Sequence, residues 1–211
     1  MMDTAETLGK GKFAVSNNIT FGIDMEEWSV EEPYEDYPRE YIHPMMYLEF
    51  KYGLTDDVDV SMRGGSIGDP SSAKLLIKKQ LQGNDKNSTA IVFGGGLLKG
   101  KPSQWEDAIR DVKEWQVYTA NLALLHTFKF SRRFHMTMAT IGSYHDFSTK
   151  LHNNTIIQDD VYHAGLRANW KLSGSSLFGI LELGVEQQFM TQNDIEPQPW
   201  IGIGAGVEFK K

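Results

Sequence analysis

The chain has 211 residues, with 28 Asp and Glu against 21 Lys and Arg, a net charge of -7, and no cysteine. The acidic balance excludes a binder of the nucleic-acid backbone, whose affinity rests on a surplus of cations. Without cysteine there is no disulfide, thiol nucleophile or cysteine-held metal, and with no run of about 18 apolar residues there is no candidate transmembrane helix.

Taken in chain order, Met1-Met-Asp-Thr-Ala-Glu6 carries neither a charged n-region nor an apolar h-region. An exported form of this chain is therefore expected to have lost a signal peptide, with residues 1–11 as an N-terminal tail. Ten segments of period-two alternation follow, at about 12–24, 45–54, 58–67, 73–82, 89–99, 116–130, 134–147, 161–172, 177–189 and 199–210. Alternate side chains of a strand point to opposite faces, so each segment predicts a strand with one apolar face. Only 103–113 has helical character, with Ser103 as N-cap and acids in the first turn. The connections alternate in length: 55–57, 83–88, 131–133 and 173–176 are short, whereas 25–44, 68–72, 100–115, 148–160 and 190–198 form the longer, polar set. An even-stranded up-and-down barrel with tight turns at one end and loops at the other produces this pattern. No composition shift marks a second domain, so residues 1–211 read as one closed antiparallel barrel of about ten strands, an all-β fold.

The closing segment states the pattern most plainly. Ile201, Ile203, Ala205, Val207 and Phe209 share one parity, and Gly202, Gly204, Gly206 and Glu208 the other. Across the chain the apolar parity is sorted along the strand. Phe13, Tyr52, Phe128, Phe130, Phe134, Trp170 and Phe209 fall at the short-turn end, and Phe21, Tyr118, Tyr144, Tyr162 and Phe189 toward the long loops. Between them lie aliphatic residues such as Leu48, Leu122, Leu166 and Ile203. Two aromatic belts around an aliphatic band match the two interfaces of a membrane. The opposite parity is rich in glycine, which suits the concave wall of a narrow barrel. A soluble calycin-like barrel around an apolar ligand is the competing reading, since it shares the period with its faces reversed.

The segment Tyr52-Gly-Leu-Thr-Asp-Asp-Val-Asp-Val60 resembles the tight hairpin of many small bacterial outer-membrane barrels, as do Ala73-Lys-Leu-Leu-Ile-Lys-Lys-Gln-Leu81 and the glycine-rich Ala90-Ile-Val-Phe-Gly-Gly-Gly96. Unlike those barrels, which usually end on the aromatic itself, this chain continues past Phe209 with Lys210 and Lys211. The resemblance implies a Gram-negative outer-membrane location, short periplasmic turns and a periplasmic N-terminal tail. It also implies the lipid bilayer and lipopolysaccharide as surroundings.

The polar parity places Glu49, Lys51, Asp59, Arg63, Lys74, Lys78, His163, Arg167, Lys171, Glu182, Glu186 and Glu208 inward as lumen-lining charges. Pairing Leu54 with Val58 sets Glu49 opposite Arg63. Pairing Leu172 with Leu177 sets Arg167 opposite Glu182, His163 opposite Glu186 and Trp170 over Gly179. Opposite charges can plug a lumen or line a narrow passage for ions or small solutes; ten strands lie nearer the size that side chains fill.

Candidate chemistry is sparse. His145-Asp146 and Asp159-Asp160, with His163, sit where a barrel protease would keep its acids and histidine, but neighbours on a strand point apart. His126 reads as a lone polar residue on the lipid parity, and Gly202-Ile-Gly-Ile-Gly206 lies within a strand and is no phosphate loop. The expectation is thus a non-enzymatic barrel of structural or partner-binding role, without cofactor or metal. Protein contact, if any, would run through the acidic, aromatic loop 25–44 and through 100–115, which holds Trp105 and Trp115.

Overall fold

A computed structural model of the chain describes residues 4–23, 42–66, 71–100, 112–190 and 194–209. Ten strands, β1 (Phe13–Ile23), β2 (Ile42–Gly53), β3 (Val58–Ser66), β4 (Ser71–Gly83), β5 (Asn87–Gly100), β6 (Val112–Lys129), β7 (Phe134–Leu151), β8 (Ile156–Ser173), β9 (Leu177–Met190) and β10 (Asp194–Phe209), make up nearly all of it. Each pairs antiparallel with its sequence neighbour, and β1 pairs with β10 from Phe13↔Phe209 to Gly22↔Trp200, which closes the barrel. No described residue is helical. Most of the expected helix at 103–113 lies outside the described residues, and its last two positions, Val112 and Lys113, belong to β6.

Several strands run further than the alternation suggested. The expected loop at 148–160 shrinks to 152–155, because β7 continues through Leu151 and β8 begins at Ile156. There Leu151 N–H donates to Thr155 O at 2.9 Å, and Asn154 takes the left-handed turn position with φ of 65°. Likewise β10 begins at Asp194, with a register shift between Ile195 and Gln198, where the expectation was a loop over 190–198. Polar residues such as Ser148, Thr149 and Gln158 pair in this hairpin through their backbones, which hydrophobic alternation does not report. At about 3.3 Å per residue and a tilt near 40°, the 18-residue strands β6 to β8 rise roughly 45 Å. They reach well past an apolar band of about 25 Å, so the outer end is taller than the loop lengths implied.

The faces divide by parity. Leu48, Met62, Leu75, Leu122, Leu166 and Ile203 are exposed on the outside. Such a surface is costly in water and favoured in lipid, and it reverses what a soluble ligand-binding barrel requires. Phe13 and Phe209 stack at 4.5 Å across the closing seam, with Tyr52 at the same level on β2. Tyr144, Tyr162 and Phe189 align at the other end across β7, β8 and β9, the two tyrosine rings 5.1 Å apart. Phe128, Phe130, Phe134 and Trp170 complete the first set and Tyr118 the second; the side chain of Phe21 lies outside the described residues. From Phe134 to Tyr144 the strand covers ten residues, about 33 Å along its length and roughly 25 Å along the barrel axis.

The inside is not uniformly polar. The inner wall of β4 to β7 carries Leu76, Ala90, Val92, Ala123, Leu125, Ala139 and Ile141, all buried in one cluster. Charges concentrate on β2–β4 and β8–β10. The lumen is therefore two-sided, with an apolar wall on β4 to β7 beside the charged one.

Candidate functional site

The middle of the lumen is an ion-paired cluster. On β2 and β3 the register sets Glu49 against Arg63, and Arg63 Nε donates to Glu49 Oε1 at 2.9 Å. On β8, Arg167 donates through Nη1 to Glu182 Oε1 at 2.9 Å and through Nη2 to Glu186 Oε1. Lys74 of β4 lies within electrostatic reach of Arg63, Arg167 and Glu186, and Arg63 of Glu182. Two arginines thus bridge to three carboxylates from both sides of the barrel, with Lys74 near them. Glu182 has no exposed side-chain surface, and Arg167 at 2.9 Å offsets the cost of burying its charge.

The register of the β8–β9 hairpin differs from the sequence expectation by two residues. Leu172 pairs with Gly179, Arg167 with Gly184, His163 with Gln188 and Trp170 with Leu181. Ser173 pairs with Phe178, and Gly174 N–H donates to Leu177 O at 2.7 Å, so the turn tightens onto Ser175 and Ser176. A slip of two keeps every side chain on its own face. Arg167 still meets Glu182, but diagonally, and it gains Glu186, which was expected opposite His163. Glycine makes this possible: a Cβ at Gly184 would come 2.6 Å from Arg167 Cγ, and one at Gly165 would come 2.7 Å from Glu186 Cγ. Arg167 and Glu186 thus each lie across a glycine on the neighbouring strand of this hairpin.

Toward the short turns a second polar layer forms. Asp59 pairs with Lys78 at 3.1 Å, and Lys171 with Glu208 while lying 4.4 Å from the Phe178 ring centroid. Lys51 is half-buried on the same inner face. Sequence reading missed Glu6, Lys129 and His135, which belong to this layer: Glu6 lies 2.6 Å from Lys129 Nζ and 3.2 Å from His135 Nδ1. Lys129 and His135 follow the inward parity of β6 and β7 and were within reach of the same rule. Glu6 was not, since it precedes every strand.

Above the central cluster, Ser143 and His145 hydrogen-bond at 3.0 Å, and the rings of His145 and His163 lie 4.4 Å apart. Asp146 and Asp160 fall on the outer parity, where Tyr144 donates to Asp160 at 3.0 Å. No group of three or more potential metal ligands occurs among the described residues. His126 is not alone: its Nδ1 lies 2.9 Å from Thr89 Oγ1 on the outer face, with Phe128 edge-on at 4.7 Å. At the long-loop end a cavity of about 480 Å³ is lined by Lys99, Glu114, Trp115 and Lys150 among others, with the Trp115 ring laid against Gly100.

Closure, strand number and the outward apolar surface define the class: the chain has the fold of the small bacterial outer-membrane β-barrels. No protein-family model and no curated protein matches it. Solved structures do. An outer membrane channel from Pseudomonas putida is 9% identical over 99% of this chain and 100% of that one, with a TM-score of 0.53. The translocator domain of the autotransporter NalP from Neisseria meningitidis is 11% identical over 95% and 89%, with a TM-score of 0.51. Ail of Yersinia pestis, crystallised with the heparin analogue sucrose octasulfate, is 9% identical over 95% and 99%, with a TM-score of 0.48.

Proposed function

We propose that this protein is a non-enzymatic integral barrel of the Gram-negative outer membrane, of structural or partner-binding role, whose lumen is closed by paired charges. The carrying observation is the central cluster, in which Arg63 and Arg167 bridge to Glu49, Glu182 and Glu186 beside Lys74. Neutral overall and drawn from both sides of a narrow barrel, it acts as a plug. The exposed aliphatic belt meets lipid and the aromatic sets sit at the two interfaces, the outer one beside lipopolysaccharide. Contact with a partner falls to the tall end formed by β6 to β8 and to the connections 25–44 and 100–115, most of which lies outside the described residues.

Planar-bilayer recording of the purified, heat-modifiable barrel is the test. The expected record shows no stable openings. Stable openings abolished by neutralising Arg167 and Glu182 together would replace this reading with that of a narrow channel.

A further inference from the structure

The short-turn mouth of the lumen is occupied by residues 4–8, which precede β1. Gly9 and Gly11 have φ of 85° and 77°, a conformation that L side chains avoid. Their turn closes with Lys12 N–H donating to Gly9 O at 3.2 Å and is clamped to the end of β2, where Gly11 N–H donates to Gly53 O and Gly53 N–H to Lys12 O, both at 2.9 Å. A Cβ at Gly53 would lie 2.0 Å from Gly9 O, so the clamp requires glycine there. The turn sends residues 4–8 back into the barrel.

Inside, this segment joins no strand. Its main chain bonds to wall side chains: Ala5 N–H donates to Thr127 Oγ1 at 2.7 Å, Thr7 N–H to Gln80 Oε1 at 3.1 Å and Leu8 N–H to Asp59 Oδ1 at 3.0 Å. Lys78 donates to the carbonyls of Thr4 and Glu6. Thr4 and Ala5 are buried, and Ala5 packs among Ala90, Ala123 and Ala139, small residues that make the space it fills. The Glu6 carboxylate is held between Lys129 and His135. None of these bonds is a ladder bond, so the barrel stays complete without them. Each wall group faces the lumen and would meet water if the segment left.

We propose that residues 4–8 form a hinged plug that gates the lumen from the short-turn side, latched by Glu6 on Lys129 and His135 and swinging about Gly9 and Gly11. The inference rests on the membrane-barrel reading and adds a second, removable closure to the fixed one at the centre.

The absence of cysteine provides a clean assay. Thr137 is fully buried and touches Thr127, the plug's contact, without bonding the plug itself. In a Thr137→Cys chain, a small methanethiosulfonate reagent is expected to react roughly tenfold faster once residues 1–8 are deleted, as local opening exposes a protected site. In the full-length chain Glu6→Lys, which sets a cation against Lys129 and His135, is expected to accelerate labelling as well. Each preparation is first shown to be folded by heat-modifiable migration. Equal rates in the intact, truncated and Glu6→Lys chains would overturn the plug. Stable conductance by the intact barrel would sink the closed-lumen reading and leave the labelling contrast standing, so the two failures are distinguishable.

Discussion

Replacing Arg167 by Met tests whether the central cluster stabilises the barrel. Arg167 makes charge-assisted bonds to Glu182 and Glu186, and Glu182 is wholly buried. Two such bonds are worth about 1.5–3 kcal/mol each, and removing one partner of a buried pair costs about 3–5 kcal/mol because the remaining charge stays desolvated. Arg63 is within electrostatic reach of Glu182 and takes up part of the loss, so the expected cost of Arg167→Met lies near 3 kcal/mol, at the lower end of that range. The double replacement Arg167→Met with Glu182→Gln removes the orphaned charge together with its partner and should recover about 2 kcal/mol of that loss. Urea unfolding in phospholipid vesicles, followed by tryptophan fluorescence, measures all three chains. A single Arg167→Met costing under about 1 kcal/mol, or a double variant no more stable than the single, would refute the argument that Glu182 depends on Arg167.

The glycines give a paired test: Gly184→Ala brings a Cβ to 2.6 Å from Arg167 Cγ and 2.7 Å from Leu166 O and should cost about 1–3 kcal/mol, whereas Gly142→Ala meets nothing within 4 Å and should be neutral or stabilising in the same unfolding assay. On the outer face, Leu166→Arg should cost about 2–4 kcal/mol near the bilayer midplane; an unchanged unfolding midpoint would contradict a lipid-facing Leu166, which is 67% exposed. At the closing seam, a double-mutant cycle on Phe13→Ala and Phe209→Ala should return a coupling of about 0.5–1.5 kcal/mol for the stacked rings, and zero coupling would remove them from the closure of the barrel.

Which parts of this structure the sequence discloses depends on what sets each feature. Strand identity and facing follow from period-two patterning, and a two-residue slip leaves that pattern intact. Arg167, Glu182 and Glu186 could therefore be placed on one wall without their true partners being known. At β2–β3, Leu54 N–H bonds to Val58 O as the three-residue loop 55–57 suggests, so Glu49 and Arg63 were legible to the residue. At β8–β9 the residues Ser173-Gly-Ser-Ser176 are all good turn formers, and the chain pairs Ser173 and Gly174 before turning. Nothing in that run says where pairing stops. The upper hairpin of β7 and β8 is longer than hydrophobic alternation predicts for a related cause: its polar residues form a ladder through the backbone alone.

The N-terminal segment was illegible for a different reason, and that reason bears on its role. Thr4 to Leu8 has no periodicity because it belongs to no ladder; its partners include Asp59 and Thr127, 51 and 122 residues away. Ordering five residues costs about 1–2 kcal/mol each in backbone entropy, roughly 5–10 kcal/mol in all. Its hydrogen bonds contribute about 0.5–1.5 kcal/mol each, more where Asp59, Lys78 or Glu6 carries the charge. The two sums are similar in size. A segment held by such a balance, in a barrel whose own ladder is complete without it, can change state when a single latch residue changes charge. The central cluster of Arg63, Arg167 and their carboxylates is built into four strands and has no such freedom. The two closures therefore divide the labour, one fixed and one removable, and a chain carrying Glu6→Lys should differ from the native one in access to the lumen and not in the stability of the barrel.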